Sequence, residues 1–295
     1  MPDWTEIDAA ISRTAGSEFR GLRRRPVGGG CINAATVVES GQARYFVKIN
    51  RAERLWIFEG EAQGLKALAE SSAVTVPTPV CSGISAGDAF LVLQYLSLRP
   101  ASGASAAALG AKLAALHALP QPCFGFETDN AIGSTPQPNP RCDDWVEFFR
   151  RYRLEHQLGL ANKAGRGGSA LLLKGARLCD RIGGLFAGYA PVPSLLHGDL
   201  WSGNYAALAD GDPVIFDPAV YWGDREADLA MTELFGGFPR PFYDAYAEAF
   251  PLDPGYRVRG TLYKLYHVLN HLNLFGSGYS RQAEDMLDRL LAELG

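Results

Sequence analysis

The informative part of this chain begins with L-H-G-D-L-W-S-G-N-Y, residues 196–205, and continues with V-I-F-D-P, residues 214–218. Asp199 and Asn204 are five positions apart, and Asp217 follows 13 positions after Asn204. The apolar runs S-L-L-H-G and P-V-I-F-D-P flank the polar triplet Asp-Gly-Asp at 210–212. This pattern predicts a strand–loop–strand unit over residues 194–219, with Asp217 at the end of its second strand.

These three residue types suit phosphoryl transfer. That reaction needs a carboxylate beside the acceptor hydroxyl and hard oxygen ligands that hold Mg²⁺ against the phosphates of ATP. The five-residue separation matches the Asp and Asn of the protein-kinase catalytic loop. Asp199 is therefore the predicted base, and Asn204 and Asp217 are the predicted metal ligands. Each residue alone would fit an ordinary turn or cap, so the prediction depends on their combination and order.

A lysine near the N-terminus supports the same chemistry. Lys48 lies in Y-F-V-K-I at the end of a predicted hairpin strand, between Val47 and Ile49. A buried ammonium is costly unless it meets anions. Glu61 shares a helical face with apolar residues that point toward the sheet, so we expect it to pair with Lys48; Glu59 falls on the opposite face.

The nucleotide would be enclosed by a loop and a hinge. G-G-G-C-I-N, residues 28–33, directly precedes the hairpin and would bring main-chain N–H groups close to phosphates, although alone it indicates only a flexible turn. If the fold resembles that of the kinases, main-chain polar groups at the end of the strand at 89–95 would form the hinge that meets adenine. The predicted nucleotide contacts are Gly28, Gly29, Gly30, Asn33, Lys48, Glu61, Gln94, Tyr95 and Leu96.

Composition narrows the class of protein. The chain has 295 residues, of which 47% are hydrophobic and 20% charged, with a net charge of −4. Its one basic cluster, residues 23–25, is better explained as a solvated strand edge than as a nucleic-acid or membrane contact. With no leader or membrane-spanning pattern, we expect a cytoplasmic protein. The five cysteines form no C-x-x-C pair, so reduced thiols are expected.

The order of patterns predicts an α+β protein in two lobes. Residues 1–96 would form a small antiparallel sheet with an opening helix at 4–15, a hairpin at 34–40 and 43–49, and one further helix at 53–71. Residues 97–295 would be mostly helical and would carry the catalytic loop. Helical patterns there cover residues 106–119, 145–158, 170–189, 241–250 and 260–274.

The sequence resembles the fructosamine and ketosamine kinases, a branch of the aminoglycoside-phosphotransferase-like kinases. H-G-D-L-W-S-G-N at 197–204 is characteristic of that branch, and further matching stretches lie at 28–33, 58–68, 214–231, 235–239 and 262–279. The resemblance implies a protein-kinase-like bilobal fold that uses ATP and Mg²⁺ to phosphorylate the 3-hydroxyl of a ketosamine, on a small molecule or a protein. The unstable product would shed its sugar, which is deglycation. Ribulosamine, erythrulosamine and fructosamine stay open as substrates, and a monomer is expected with a dimer as the alternative.

Several hypotheses concern neighbouring residues. Trp201 would stack on the sugar, with core packing as the alternative, and His271 and Asn273 would bind its hydroxyls or serve only structure. Cys31, on the glycine loop, is either a redox switch or an ordinary small residue. The stretch D-R-E-A-D at 224–228 reads as a buried polar brace beneath the catalytic loop. Competing functions are a kinase for an aminoglycoside, choline-like or other amino alcohol, and an inactive kinase-fold binding module.

Overall fold

An antiparallel sheet forms the first part of the computed structural model, which describes residues 2–28 and 32–295. Its strands run in the order β1-β2-β3-β5-β4. The predicted loop residues Gly29, Gly30 and Cys31 lie outside the described residues. The strands are β1 (Arg23–Val27), β2 (Ala34–Ser40), β3 (Ala43–Arg51), β4 (Pro79–Ser85) and β5 (Asp88–Gln94).

The alternation of side chains along β3 separates two environments. Val47 is fully buried and packs with Ile7 and Ile11 of α1 (Trp4–Ala15), the helix that covers the outer face. Lys48, the next residue, points to the opposite face because neighbouring strand residues alternate in direction. That face looks toward α2 (Leu55–Glu70) and the rest of the molecule.

The remainder of the chain is mainly helical and packs around one large apolar core. Trp145 and Phe149 meet Tyr263 there, with ring centroids 5.1–6.1 Å from the tyrosine. The helices are α3 (Gly103–His117), α4 (Trp145–Phe149), α5 (His156–Lys163), α6 (Gly168–Arg181), α7 (Glu226–Leu234), α8 (Arg240–Ala249), α9 (Tyr256–Phe275) and α10 (Ser280–Glu293). Short paired strands are β6 (Asn130–Ile132) with β7 (Thr135–Gln137), β8 (Pro193–Leu196) with β11 (Tyr221–Asp224), and β9 (Tyr205–Ala207) with β10 (Pro213–Ile215).

The structure confirms the α+β prediction and corrects some of its elements. The predicted helix at 145–158 is divided, because a π-helical turn at Arg150–Glu155 separates α4 from α5. The predicted helix at 170–189 ends as an α-helix at Arg181 and continues as a 3₁₀ turn. Strands β4 and β11, the β6–β7 hairpin, α7 and α10 were not predicted. Within the described residues, no helix is both long and apolar enough to cross a membrane.

The sheet ends at Gln94 and α3 begins at Gly103. The predicted division between residues 96 and 97 therefore falls in the connecting segment. That division stays a prediction. The predicted strands of the 194–219 unit are β8 and β10, but β9 lies between them and pairs with β10, whereas β8 pairs with β11.

Candidate active site

Lys48 holds two carboxylates at once. Its Nζ atom donates to Glu61 Oε1 and to Asp217 Oδ1, both at 2.6 Å. The lysine and glutamate side chains are 7% and 9% exposed, whereas the Asp217 side chain is 48% exposed. Glu59, the rejected candidate, is exposed. The prediction that Glu61 faces the lysine is confirmed, and Asp217 is the partner that opens toward solvent.

Electrostatics explain why this buried lysine stays charged. Burial lowers the pKa of Lys48, but the charges of Asp217 and Glu61 outweigh it and the net pKa is raised. Burial raises the pKa of Glu61, and the Lys48 ammonium opposes that effect. The group is therefore a compensated cation beside an open carboxylate, an arrangement suited to an anionic ligand and its metal.

The catalytic loop turns sharply at a glycine. Gly198 has a φ of 80°, and a Cβ there would lie 2.0 Å from the Ala219 carbonyl oxygen. Only glycine combines that backbone conformation with so close an approach. The turn brings Asp199 next to the segment that follows Asp217.

Asn204 joins the two aspartates. Its Nδ2 donates to the main-chain oxygen of Asp199 at 2.9 Å, to that of Asp217 at 3.4 Å and to Asp199 Oδ2 at 3.5 Å. Asp217 itself has a φ of 57°, a left-handed conformation that aspartate tolerates better than most residues. The structure thus gathers Lys48, Asp199, Asn204 and Asp217 in one place.

The Asp199 carboxyl resists ionisation. Burial raises its pKa to about 7, and the nearby charges of Asp217 and Asp228 act in the same direction. A group that titrates near neutrality is well suited to accept a proton from a hydroxyl.

One residue of the predicted polar brace, Asp228, contacts this loop, whereas Glu226 pairs with Arg259 and Asp224 accepts from Tyr263. Asp228, on α7, accepts hydrogen bonds from the main-chain N–H groups of His197 and Gly198 at 2.7 and 2.8 Å. His117 Nε2 lies 3.3 Å from the same carboxylate. Burial alone would raise the pKa of Asp228, yet these hydrogen bonds and the histidines lower it. An ionised Asp228 therefore fixes the start of the catalytic loop.

The other predicted nucleotide contacts lie at two places, the end of the glycine loop and the end of β5. Asn33 Oδ1 accepts from Asn50 Nδ2 at 2.7 Å, which anchors the described end of the glycine loop to β3. Gln94 donates its main-chain N–H to Thr78 at 2.8 Å, and Arg44 lies over the Tyr95 ring at 4.7 Å. Gly28 is exposed, and Leu96 follows the end of β5 half-buried. Their nucleotide roles stay predictions.

Trp201 is placed as an accessible platform and not as core. Trp201 is 37% exposed, and its indole ring packs edge-on against Phe235 with ring centroids 6.1 Å apart. The indole lies over Gly203, where a Cβ would meet ring atoms at 2.3–2.7 Å. The absence of a side chain at Gly203 therefore leaves room for the indole ring, two residues after Asp199.

Of the two predicted substrate contacts on α9, His271 lies close to Trp201 and Asn273 serves another contact. His271 packs on Phe235 with ring centroids 4.9 Å apart, so Phe235 lies between it and Trp201. Asn273 instead donates to Gln157 Oε1 at 2.7 Å and Gln157 O at 2.9 Å, which ties α9 to α5. Sequence reasoning did not single out Phe235, although it opens the F-G-G-F-P stretch at 235–239 that carries the resemblance.

The donor set fits Mg²⁺ bound together with a nucleotide. Among residues 2–28 and 32–295, no group of three or more His, Cys, Asp and Glu side chains is arranged to hold a metal alone. Mg²⁺ is commonly held by one or two carboxylates with substrate phosphates completing its shell. The open carboxylate of Asp217 and the amide of Asn204 match that pattern.

The antiparallel sheet and the mainly helical remainder of the chain together form a protein-kinase-like fold. A thermostable variant of an aminoglycoside phosphotransferase, in a ternary complex with ADP and hygromycin B, shares the fold with a TM-score of 0.62 at 15% identity, over 97% of this chain and 98% of that one. The predicted fold class is confirmed.

Sequence comparisons narrow the class to a family. The fructosamine kinase family model matches residues 3–293. A Synechocystis sp. protein named as a probable ketoamine kinase is 48% identical over 98% of this chain and 97% of its own length. A chloroplastic protein-ribulosamine 3-kinase of Oryza sativa subsp. indica is 44% identical over 91% of this chain and 78% of its own length. The chain belongs to the fructosamine kinase family.

Proposed function

We propose that this chain transfers the γ-phosphate of ATP, with Mg²⁺, to the 3-hydroxyl of ketosamines, and that ribulosamines are its preferred class. The observation that carries the proposal is Lys48 bound to Glu61 and Asp217 at 2.6 Å, with Asn204 tying Asp217 to Asp199. Family membership and the ribulosamine 3-kinase relative support the acceptor.

Each residue has a distinct task in the proposed reaction. Asp199 accepts the proton of the 3-hydroxyl. At the same time the hydroxyl oxygen forms the new bond to the γ-phosphorus, and the bond between that phosphorus and the ADP oxygen breaks. Lys48, oriented by Glu61, donates to the α- and β-phosphates. Asp217 and Asn204 would hold Mg²⁺, which neutralises charge on the phosphates. The 3-phosphate product then enolises and eliminates inorganic phosphate from C3, and water hydrolyses the resulting imine to give the free amine and a 3-deoxy dicarbonyl sugar.

Trp201 is the proposed wall of the acceptor site. Its exposed indole follows Asp199 by two positions and offers a flat apolar face to a sugar. His271 would add a polar group from the far side of Phe235. The role of Asn273 is less direct, because its amide already braces α5.

An acceptor panel tests the proposal. ADP release is measured with ATP, Mg²⁺ and, in turn, a ribulosamine, an erythrulosamine, a fructosamine, an aminoglycoside and choline. We expect turnover with the ketosamines and the highest kcat/KM with the ribulosamine. Turnover confined to the aminoglycoside or choline would refute the acceptor assignment. A protein that turns over none of them but binds MgADP would instead fit a binding module.

A further inference from the structure

Helix α2 carries two glycines that lie in its buried face, on either side of Glu61. Glycine within a helix costs about 0.5–1 kcal/mol relative to alanine. A helix that keeps Gly60 and Gly64 therefore gives up stability at two positions. The atoms around each glycine show why a larger residue would not fit there.

Gly64 lets α2 approach the segment that follows Asp217. A Cβ on Gly64 would lie 2.8 Å from Val220 Cγ2, 3.2 Å from Val220 Cβ and 3.6 Å from Pro218 Cγ. The first distance is shorter than a van der Waals contact allows, so an alanine there would push the helix and the segment apart. Pro218 is adjacent to Asp217, so the same contact sets the distance from α2 to the open carboxylate.

Gly60 lets the same helix face approach the β6–β7 hairpin. A Cβ on Gly60 would lie 2.9 Å from Asn130 Cβ and 3.3 Å from Asn130 Cα. Asn130 is 3% exposed, and its Nδ2 donates to the main-chain oxygen of Val220 at 2.7 Å. Gln137, which pairs with Asn130 across the hairpin, donates to the main-chain oxygen of Ala219 at 3.0 Å. The hairpin therefore holds both α2 and the segment after Asp217.

We propose that Gly60, Gly64 and Asn130 are positioning residues, which seat α2 and the Asp217 segment at the spacing that lets both carboxylates reach Lys48. They touch neither the lysine nor the reacting atoms in the proposed mechanism. They act through Glu61, which lies between the two glycines, and through Asp217, which precedes Pro218. The Lys48 cluster is then assembled by packing before any nucleotide arrives.

This arrangement differs in physical terms from one held by the ion pairs alone. If the ion pairs alone held the cluster, the long and flexible Lys48 side chain could adjust to a shift of α2 by an ångström. The backbone of α2 is instead packed against Val220 and Asn130, and a close-packed interior transmits such a displacement to its neighbours. A small shift of α2 should therefore change the nucleotide site and leave the acceptor wall at Trp201 in place.

The test measures MgADP affinity without any acceptor, by calorimetry, and then the KM values for ATP and ketosamine. Gly64→Ala and Gly60→Ala should each weaken MgADP binding and lower kcat/KM for ATP by about tenfold or more, with the ketosamine KM unchanged. Gly159→Ala is the matched control, because Gly159 lies within α5 and a Cβ there meets nothing within 4 Å. Its nucleotide affinity should equal that of the wild type, and its Tm should be equal or higher.

A double variant separates positioning from general damage. Val220→Ala removes the methyl carbon that a Gly64 Cβ would strike, so Gly64→Ala/Val220→Ala should bind MgADP more tightly than Gly64→Ala alone. Asn130→Ala adds no volume and should still weaken MgADP binding severalfold, which keeps the test valid if Gly64→Ala does not fold. Wild-type MgADP affinity in Gly64→Ala and Asn130→Ala would overturn the proposal. So would a loss that affects the ketosamine KM equally and that Val220→Ala does not relieve.

The inference rests on the proposed nucleotide site but not on the identity of the acceptor. Failure of the wild type to phosphorylate a ketosamine would remove the proposed function and leave the MgADP comparison intact. Failure of the glycine variants to change MgADP affinity would remove the positioning proposal and leave the function intact.

Discussion

Replacement of Asp199 by asparagine should lower catalysis and raise stability in the same variant. General-base catalysis contributes about 10²- to 10⁴-fold, so kcat should fall by at least about 100-fold. Asparagine has nearly the same shape, and the Asn204 bond to the main-chain oxygen of residue 199 does not involve the lost carboxylate. MgADP affinity should therefore stay near the wild-type value.

The gain in stability follows from the pKa of Asp199. Burial, with smaller contributions from Asp217 and Asp228, raises that pKa from 3.8 to about 7. Below about pH 4 both the folded and the unfolded chain keep the proton. As the pH rises from 4 to 7 the unfolded chain ionises first, so the wild type loses stability across this window and regains none above it. Asparagine does not ionise and avoids the loss.

The size of the gain can be bounded. One pKa unit corresponds to about 1.4 kcal/mol, so the full shift sets an upper limit of about 4 kcal/mol. Asp199 is only partly buried by its surface exposure, and water near the carboxylate reduces the free-energy difference to about 1–2 kcal/mol. For a chain of 295 residues that corresponds to a Tm increase of about 2–3 °C.

Thermal melts without Mg²⁺ at pH 4 and pH 8 provide the assay, with initial rates measured at pH 8. The Tm of Asp199→Asn should be higher than that of the wild type at pH 8 and equal to it at pH 4. Asp143→Asn, at an exposed position, is the control and should match the wild type at both pH values. A lower Tm for Asp199→Asn at pH 8, or wild-type turnover, would refute the reasoning.

Three further changes probe separate parts of the site. Glu61→Gln should raise the KM for MgATP by about tenfold, because a charge-assisted bond to Lys48 is lost. Glu59→Gln is the control and should leave this KM unchanged. Equal KM values for the two variants would contradict the pairing of Glu61 with Lys48. Trp201→Ala should raise the ketosamine KM by about 2- to 10-fold without changing the ATP KM, and steady-state kinetics that showed the reverse split would remove the stacking role. Asp228→Asn should lower the free energy of unfolding by about 2 kcal/mol, because two main-chain donors lose a charged acceptor; an unchanged denaturant midpoint would show that the brace is dispensable.

The placement of the candidate site residues was predictable because their signal is local and chemical. Fixed spacing linked Asp199, Asn204 and Asp217, and helical periodicity separated Glu61 from Glu59. The cost of burying an ammonium then required partners for Lys48. Each of these arguments needs only a short window of sequence, and the observed distances agree with them.

The elements that hold those residues in place were not predictable in the same way. Strands β6 and β7 have three residues each, and Pro136 interrupts the strand pattern, so periodicity gives no signal for the hairpin. The break in the predicted helix at 145–158 coincides with Arg153, a fully buried arginine stacked 4.2 Å over Tyr221. Both features depend on tertiary contacts between residues far apart in the chain, and a sequence window does not contain them.

The most direct measurement follows phosphorus itself. ATP, Mg²⁺, the wild-type protein and a ribulosamine are combined, and ³¹P spectra are recorded over time. The account predicts that the γ-phosphate resonance is replaced by those of ADP and a phosphomonoester, and that the new phosphorus couples to the proton on C3 of the sugar. An unchanged ATP spectrum, or inorganic phosphate formed equally with and without the ribulosamine, would contradict it.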